Sequence, residues 1–197
     1  MQAPAFVTVD PLSYEARLQP RALDAIDLVV IHCTELPDLA TAREYGERVQ
    51  HPETRTGNSG HFYVDRDGRV EQWVDPARVA HHVRGHNAHS VGIELVNLGR
   101  YPHWLDSRHQ AMTEPYPDAQ VDALVALLRH LQAALPNLRH IAGHEELDTD
   151  EVPATDDPGV TVRRKRDPGV MFPWARVLLA TGPNFARRGQ VHFPQEK

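Results

Sequence analysis

Short apolar runs alternate along the chain with stretches in which apolar residues recur at helical spacing. Asp27–Leu28–Val29–Val30–Ile31–His32 predicts a central strand buried on both faces. Val91–Gly92–Ile93–Glu94–Leu95–Val96 predicts a second, interrupted by one carboxylate, and His140–Ile141–Ala142–Gly143–His144 a short last one. His61 to Val64 and Val70 to Val74 are strand-like runs separated by Asp67–Gly68, a strong short-range hairpin signal. Asp38 is placed as the N-cap of a helix continuing from Ala40 to Val49. Val121, Leu124, Val125, Leu128, Leu131 and Leu135 fall at i, i+3, i+4, i+7 and trace an amphipathic helix, stopped by Pro136–Asn137. A last short helix is expected over Phe172 to Leu179. Strands alternating with helices predict an α/β class: a single domain with a central mixed β-sheet flanked by helices, the hairpin being its antiparallel part. The division expected is an N-terminal extension over 1–25, the domain over 26–180 and a polar C-terminal tail over 181–197.

Composition narrows the function. The chain has 197 residues, 41% hydrophobic and 24% charged, which is globular rather than disordered usage. A formal net charge of −6 argues against sequence-independent binding to nucleic acid. One cysteine excludes an internal disulfide framework and a Cys-rich zinc site. No apolar run reaches the ~20 residues of a membrane span, and residues 1–10 lack the pattern of an export signal. The expected compartment is therefore the cytoplasm, or the periplasm if a signal has been removed. Nothing in the sequence calls for an obligate protein partner. The anomaly is 13 histidines, the side chain suited both to zinc ligation and to proton transfer near neutral pH.

Four polar residues close runs that otherwise look buried, or lie just beyond them: His32, Glu94, His144 and Asp167. The rim at the strand ends is where an α/β domain builds a site, and a set of two histidines and one carboxylate leaves a fourth zinc position open, the catalytic arrangement. Spacing alone leaves this beside a plainer reading, because lone histidines next to strands are more often core or surface residues. The blocks Val-Val-Ile-His-Cys-Thr (29–34), Gly-His-Phe-Tyr-Val-Asp-Arg-Asp-Gly (60–68), His-Ser-Val-Gly-Ile-Glu-Leu-Val-Asn (89–97), Ala-Gly-His (142–144), Arg-Lys-Arg-Asp-Pro-Gly (164–169) and Phe-Pro-Trp (172–174) occur in that order. Together they resemble the zinc-dependent N-acetylmuramoyl-L-alanine amidases of the AmpD and AmiD type, relatives of T7 lysozyme and of peptidoglycan recognition proteins. The resemblance covers about residues 26 to 180. It implies one Zn2+ held by His32, His144 and Asp167, Glu94 as general base and Lys165 as oxyanion stabiliser. The substrate it implies is peptidoglycan or a 1,6-anhydro-muropeptide, cut between N-acetylmuramic acid and L-alanine. The alternative from another class is a non-catalytic muropeptide-binding module; retention of Asp167, Glu94 and Lys165 favours the enzyme.

Several positions carry two readings. Asp157, in a second Asp-Pro-Gly, rivals Asp167 as third ligand, but only the later block has the Arg-Lys before it. His61 is either a satisfied structural histidine or a substrate contact, and His82 a substrate contact or a residue supporting the ligands, against a surface role. Arg164, within Arg163–Arg166, is a candidate for stem-peptide carboxylates. Trp104, with Tyr101 and Tyr116 in the long loop from 98 to 117, either stacks on sugar or caps the core. Cys33 alternates with His32 and is expected on the opposite, buried face. His51, His86, His89, His103, His109, His130, His140 and His192 are expected at the surface.

Overall fold

Leu28 to Cys33 are all buried, as a strand in the middle of a parallel sheet must be, because other elements cover both its faces. The computed structural model describes residues 2–183 and 185–188. Its strands are β1 (Val7–Val9), β2 (Leu28–Cys33), β3 (Phe62–Val64), β4 (Val70–Gln72), β5 (Ser90–Leu95), β6 (His140–Gly143), β7 (Glu151–Pro153), β8 (Thr161–Arg163) and β9 (Ala186–Arg187). Its helices are α1 (Leu39–Glu47), α2 (Asp118–Ala134), α3 (His144–Leu147) and α4 (Trp174–Thr181). Among the described residues one sheet runs β1-β4-β3-β5-β2-β6-β9, and β7 pairs with β8 apart from it. Within that sheet β3 and β4 are antiparallel, the hairpin expected around Asp67–Gly68, and the other neighbouring pairs are parallel. The chain is thus a single α/β domain with a mixed sheet flanked by helices.

The alternation along β2 assigns the two faces. Val29, Ile31 and Cys33 join the larger core with Leu124, Leu127, Leu128 and Leu131 of α2 and Val177 of α4. Leu28 and Val30 point the other way, onto Val83 and Ala142. On that second face Tyr63 also packs with Trp73, Leu39 and Ala42, which seats α1. His32 belongs to the second face, and Cys33 is buried on the first as expected.

Element ends follow local chemistry. Asp38 caps α1, its carboxylate accepting the Thr41 amide at 2.7 Å, so the helix starts at Leu39 and closes at Glu47, two residues short of Val49. Pro117 and Pro173 immediately precede α2 and α4, because proline fits a helix entrance and not its interior. The last helix therefore begins at Trp174 rather than Phe172. The segment 98–117 carries neither helix nor strand, as expected.

Both ends of the chain contribute more than a polar pattern suggests. β1 pairs with β4 at the sheet edge, and Leu12, Tyr14 and Leu18 are buried, so residues 1–25 supply an edge strand and part of the core. After α4, Phe185 is buried and β9 pairs with β6; His192 lies outside the described residues. No helix among those described is long and apolar enough to cross a membrane.

Candidate metal site

Parallel register sets the site. His32 pairs with Glu94, Glu94 with Tyr63, and Ile31 with Gly143, so His144 leaves β6 level with His32 at the carboxyl ends of the strands. Asp167 reaches the same point from the far end of the chain. His32 Nδ1 lies 3.0 Å from His144 Nδ1 and 2.9 Å from Asp167 Oδ2, and His144 Nδ1 lies 3.1 Å from that oxygen. All three residues are buried. Asp157 is elsewhere, exposed in a turn where its carboxylate accepts the Gly159 amide, which removes it as the rival ligand.

Hydrogen bonding identifies which atoms of the cluster hold lone pairs. Ser90 Oγ donates to the His86 carbonyl at 2.8 Å and so accepts from His82 Nε2–H at 3.2 Å. His82 Nδ1 is then an acceptor, and the group it accepts from is His32 Nε2–H at 3.0 Å. A neutral imidazole has one N–H, so His32 Nδ1 carries a lone pair facing the cluster. With His144 Nδ1 and the Asp167 carboxylate beside it, this makes a buried donor set about 3 Å across that could hold a cation. Zinc at its usual ~2.0–2.1 Å from such atoms sets them about 3.3 Å apart in a tetrahedron, so this donor set fits one zinc ion with an open fourth position. Burial, then the neighbouring His144 and Lys165, push His32 down to about 4, against the opposing pull of Asp167. Burial alone would raise Asp167, but His144 and His32 hold its carboxyl well below the carboxylate range. Both groups are thus held in the ligating form.

His82 thus holds the His32 ring between Ser90 and the cluster, the supporting rather than the substrate-contacting reading of this residue. It occupies its place because position 92 is glycine: a Cβ there would lie 2.6 Å from the His82 ring. Outer partners of this kind typically contribute ten- to a hundredfold in metal affinity. We expect His82→Ala to weaken zinc binding by about that factor and Ser90→Ala by less, measured by competition with a chromogenic chelator. Unchanged affinity in His82→Ala would remove the relay from the site.

His61 does not face the site as a substrate contact would; it is wholly buried. Its Nδ1 accepts the Gly92 amide at 3.0 Å, and its Nε2 sits 3.1 Å from the Arg78 carbonyl and 2.9 Å from the Arg21 guanidinium. Burial, then Arg21, lowers it well below its ordinary 6.5. The folded protein thus binds one proton fewer than the unfolded chain once the pH falls under about 6.5. Stability should be complete above that pH and decline below it, by up to about 1.4 kcal/mol per pH unit for this residue. Urea denaturation of the metal-free protein and of His61→Gln at pH 7.5 and 5.5 checks this, because His32 and Glu94 titrate alike in both; the same pH dependence in the two proteins would mean that His61 is protonated in the fold.

A groove of about 790 Å³ runs over the cluster, lined by His32, Glu94, His144, Lys165 and Asp167 and flanked by Tyr45, Trp104 and Arg164. Glu94 is 16% exposed, its Oε1 4.0 Å from His32 Nδ1. Gly60 gives it room, since a Cβ there would lie 2.9 Å from Glu94 Cγ. Burial and then Asp167 raise Glu94 to about 8, against the pull of Lys165. Trp104 lines the groove with its Nε1 donating to the Glu35 carbonyl at 3.1 Å. Tyr116 caps the core instead, buried and donating to the Pro168 carbonyl at 2.7 Å. Arg164 reaches the groove wall with its guanidinium already paired to Asp148. His51, expected at the surface, also lines the groove, its ring tilted against that of His81 with centroids 4.4 Å apart.

A family model described as N-acetylmuramoyl-L-alanine amidase matches residues 22–169. The endolysin of Escherichia phage T7 is 32% identical over 82 residues, which is 41% of this chain and 54% of the endolysin; this chain spans about half the length of the curated relatives it matches. The structure of AmpD, as its selenomethionine derivative, superposes with a TM-score of 0.64 at 23% identity, over 91% of this chain and 97% of that one. AmiD from E. coli, in complex with the substrate anhydro-N-acetylmuramic acid-L-Ala-D-gamma-Glu-L-Lys, gives 0.58 at 23% identity, over 81% of this chain and 58% of AmiD. At these identities the structures speak for a shared fold, while the family match spans most of the chain: it belongs to the N-acetylmuramoyl-L-alanine amidase family.

Proposed function

We propose that this protein hydrolyses the amide between the lactyl group of N-acetylmuramic acid and L-alanine, with one zinc ion, in peptidoglycan or its 1,6-anhydro fragments. The observation that carries this reading is the convergence of His32, His144 and Asp167 on one point, with Glu94 and Lys165 in the same groove. The ligand named for the AmiD structure, an anhydro-muropeptide, supports the substrate class. When bound, the zinc supplies a Lewis acid that polarises the scissile carbonyl and acidifies water.

The chain's own groups do the rest. Glu94 Oε takes a proton from the attacking water and returns it to the departing L-alanine nitrogen, since an amide nitrogen leaves poorly without one. Lys165 Nζ stabilises the negative oxygen of the tetrahedral intermediate, a charge absent from the ground-state carbonyl, so its help falls on the barrier. Ser90, His82 and His32 hold the ligand ring in one tautomer throughout.

Mass spectrometry of the protein with 1,6-anhydro-MurNAc-tripeptide tests the reading. The expected result is free tripeptide whose release stops with a chelator and returns with zinc. A zinc-loaded protein that binds this fragment and intact sacculi but cuts neither would make it a binding module.

A further inference from the structure

Three residues beyond His32, Glu35 adopts φ 49°, the left-handed region that a non-glycine residue rarely takes. Strain of this sort persists where the surroundings over-determine it, and here they do. The Glu35 side chain is 8% exposed and that of its partner Arg100 1%. Arg100 Nε donates to Glu35 Oε1 at 2.7 Å and Nη2 to Oε2 at 2.9 Å, the planar fork-on-carboxylate geometry. The remaining guanidinium hydrogens reach the Gln110 side-chain oxygen at 3.2 Å and the carbonyls of Arg163 and Arg164 at 3.0 and 3.3 Å. All five donors of the guanidinium are thus used. One side chain ties the exit of β2, which carries His32, to the two residues just before Lys165 and Asp167. The Trp104 indole hangs from the same Glu35 through its backbone carbonyl.

We propose that the Glu35–Arg100 pair is a positioning clamp that fixes the Lys165–Asp167 segment against the end of β2 and so governs how tightly the three ligands hold a divalent cation. This rests on the zinc-site reading above and assigns to it two residues that touch neither metal nor substrate. The clamp adds to two backbone bonds on this segment, the Arg164 amide to the Asp150 carbonyl and the Glu145 amide to the Asp167 carbonyl. From Arg164 to Asp167 the chain belongs to no strand or helix, and an error of about 1 Å at a catalytic group can cost a hundredfold in rate. Lysine cannot replace Arg100, since a single ammonium offers three donors from one point where five in a plane are used.

Two variants test the clamp. Arg100→Lys keeps the charge and loses the fork. The double variant Glu35→Gly with Arg100→Met removes both charges, relieves the left-handed strain and leaves no buried charge unpaired, which guards against simple failure to fold. Leu128→Ala, a core truncation on α2, is the control for lost stability alone. Zinc affinity, measured on each protein without substrate and well below its melting temperature, should fall about tenfold in both clamp variants and stay at the wild-type value in Leu128→Ala. Steady-state kinetics should show a drop mainly in kcat, because Lys165 is displaced along with Asp167. Folded clamp variants with wild-type zinc affinity and kcat would overturn the inference, as would an equal loss of affinity in Leu128→Ala. A wild-type protein that binds no zinc would sink the function reading and the clamp together; zinc-loaded wild type with unaffected variants sinks the clamp alone.

Discussion

Asp167→Ala should strip the metal and abolish turnover, while Asp157→Ala leaves both intact. The two aspartates share an Asp-Pro-Gly sequence, so the contrast isolates position from residue type. Asp167 Oδ2 stands 2.9 and 3.1 Å from the ligating nitrogens of the two histidines and is the anionic member of the set. Without it two neutral imidazoles remain, too few for a stable zinc site. The loss should exceed the ten- to hundredfold typical of an outer partner. Metal content after dialysis, read by atomic emission, decides the matter. Zinc retained in Asp167→Ala and lost in Asp157→Ala would reverse the ligand assignment.

The second large effect is kinetic. Glu94→Gln keeps the shape of the side chain and removes its basicity, so turnover should fall by about 10²–10⁴, the usual contribution of a general base. Zinc content should stay unchanged, because Glu94 stands at 4.0 Å from His32 Nδ1, outside the three-atom cluster. Burial and the Asp167 carboxylate raise Glu94 to about 8, and a cation seated on the three ligands would draw it down toward the range of a base that works at neutral pH. If Glu94→Gln loses its zinc, Glu94 is a ligand and the base must be sought elsewhere.

Much of this site is legible along the chain, for a definite reason. β2, β5 and β6 are short buried strands, and a polar residue at the end of such a run needs a partner, which is why His32, Glu94 and His144 stand out. Asp167 is told from Asp157 by Arg164 and Lys165, which complete the block that carries the family resemblance. What stays hidden depends on a partner far away in sequence. Glu35 follows a strand and looks like an ordinary turn residue until Arg100, 65 positions on, is seen against it. Ser90 and Gly92 look like strand residues with no task, and only the His82 ring lying against both shows what they do. The same limit applies to the edge strands: β1 is three residues long and alternates weakly, so nothing local tells it from a loop. A histidine in a polar loop, such as His51, gives no sign of the groove beside it.

The separation of the ligands along the chain bears on how the protein folds. His32 and His144 are 112 residues apart, and His32 and Asp167 are 135 apart. Loop-closure entropy makes contacts of such long range late events, so the three ligands meet only when the chain is essentially folded. On the zinc reading proposed above, the ion would select the finished structure over every partial one, and by mass action a free concentration a hundred times Kd would add about 2.7 kcal/mol of stability. A growing chain on the ribosome cannot assemble the site until Asp167 has emerged, so on that reading metal capture would mark the end of folding rather than a step along it.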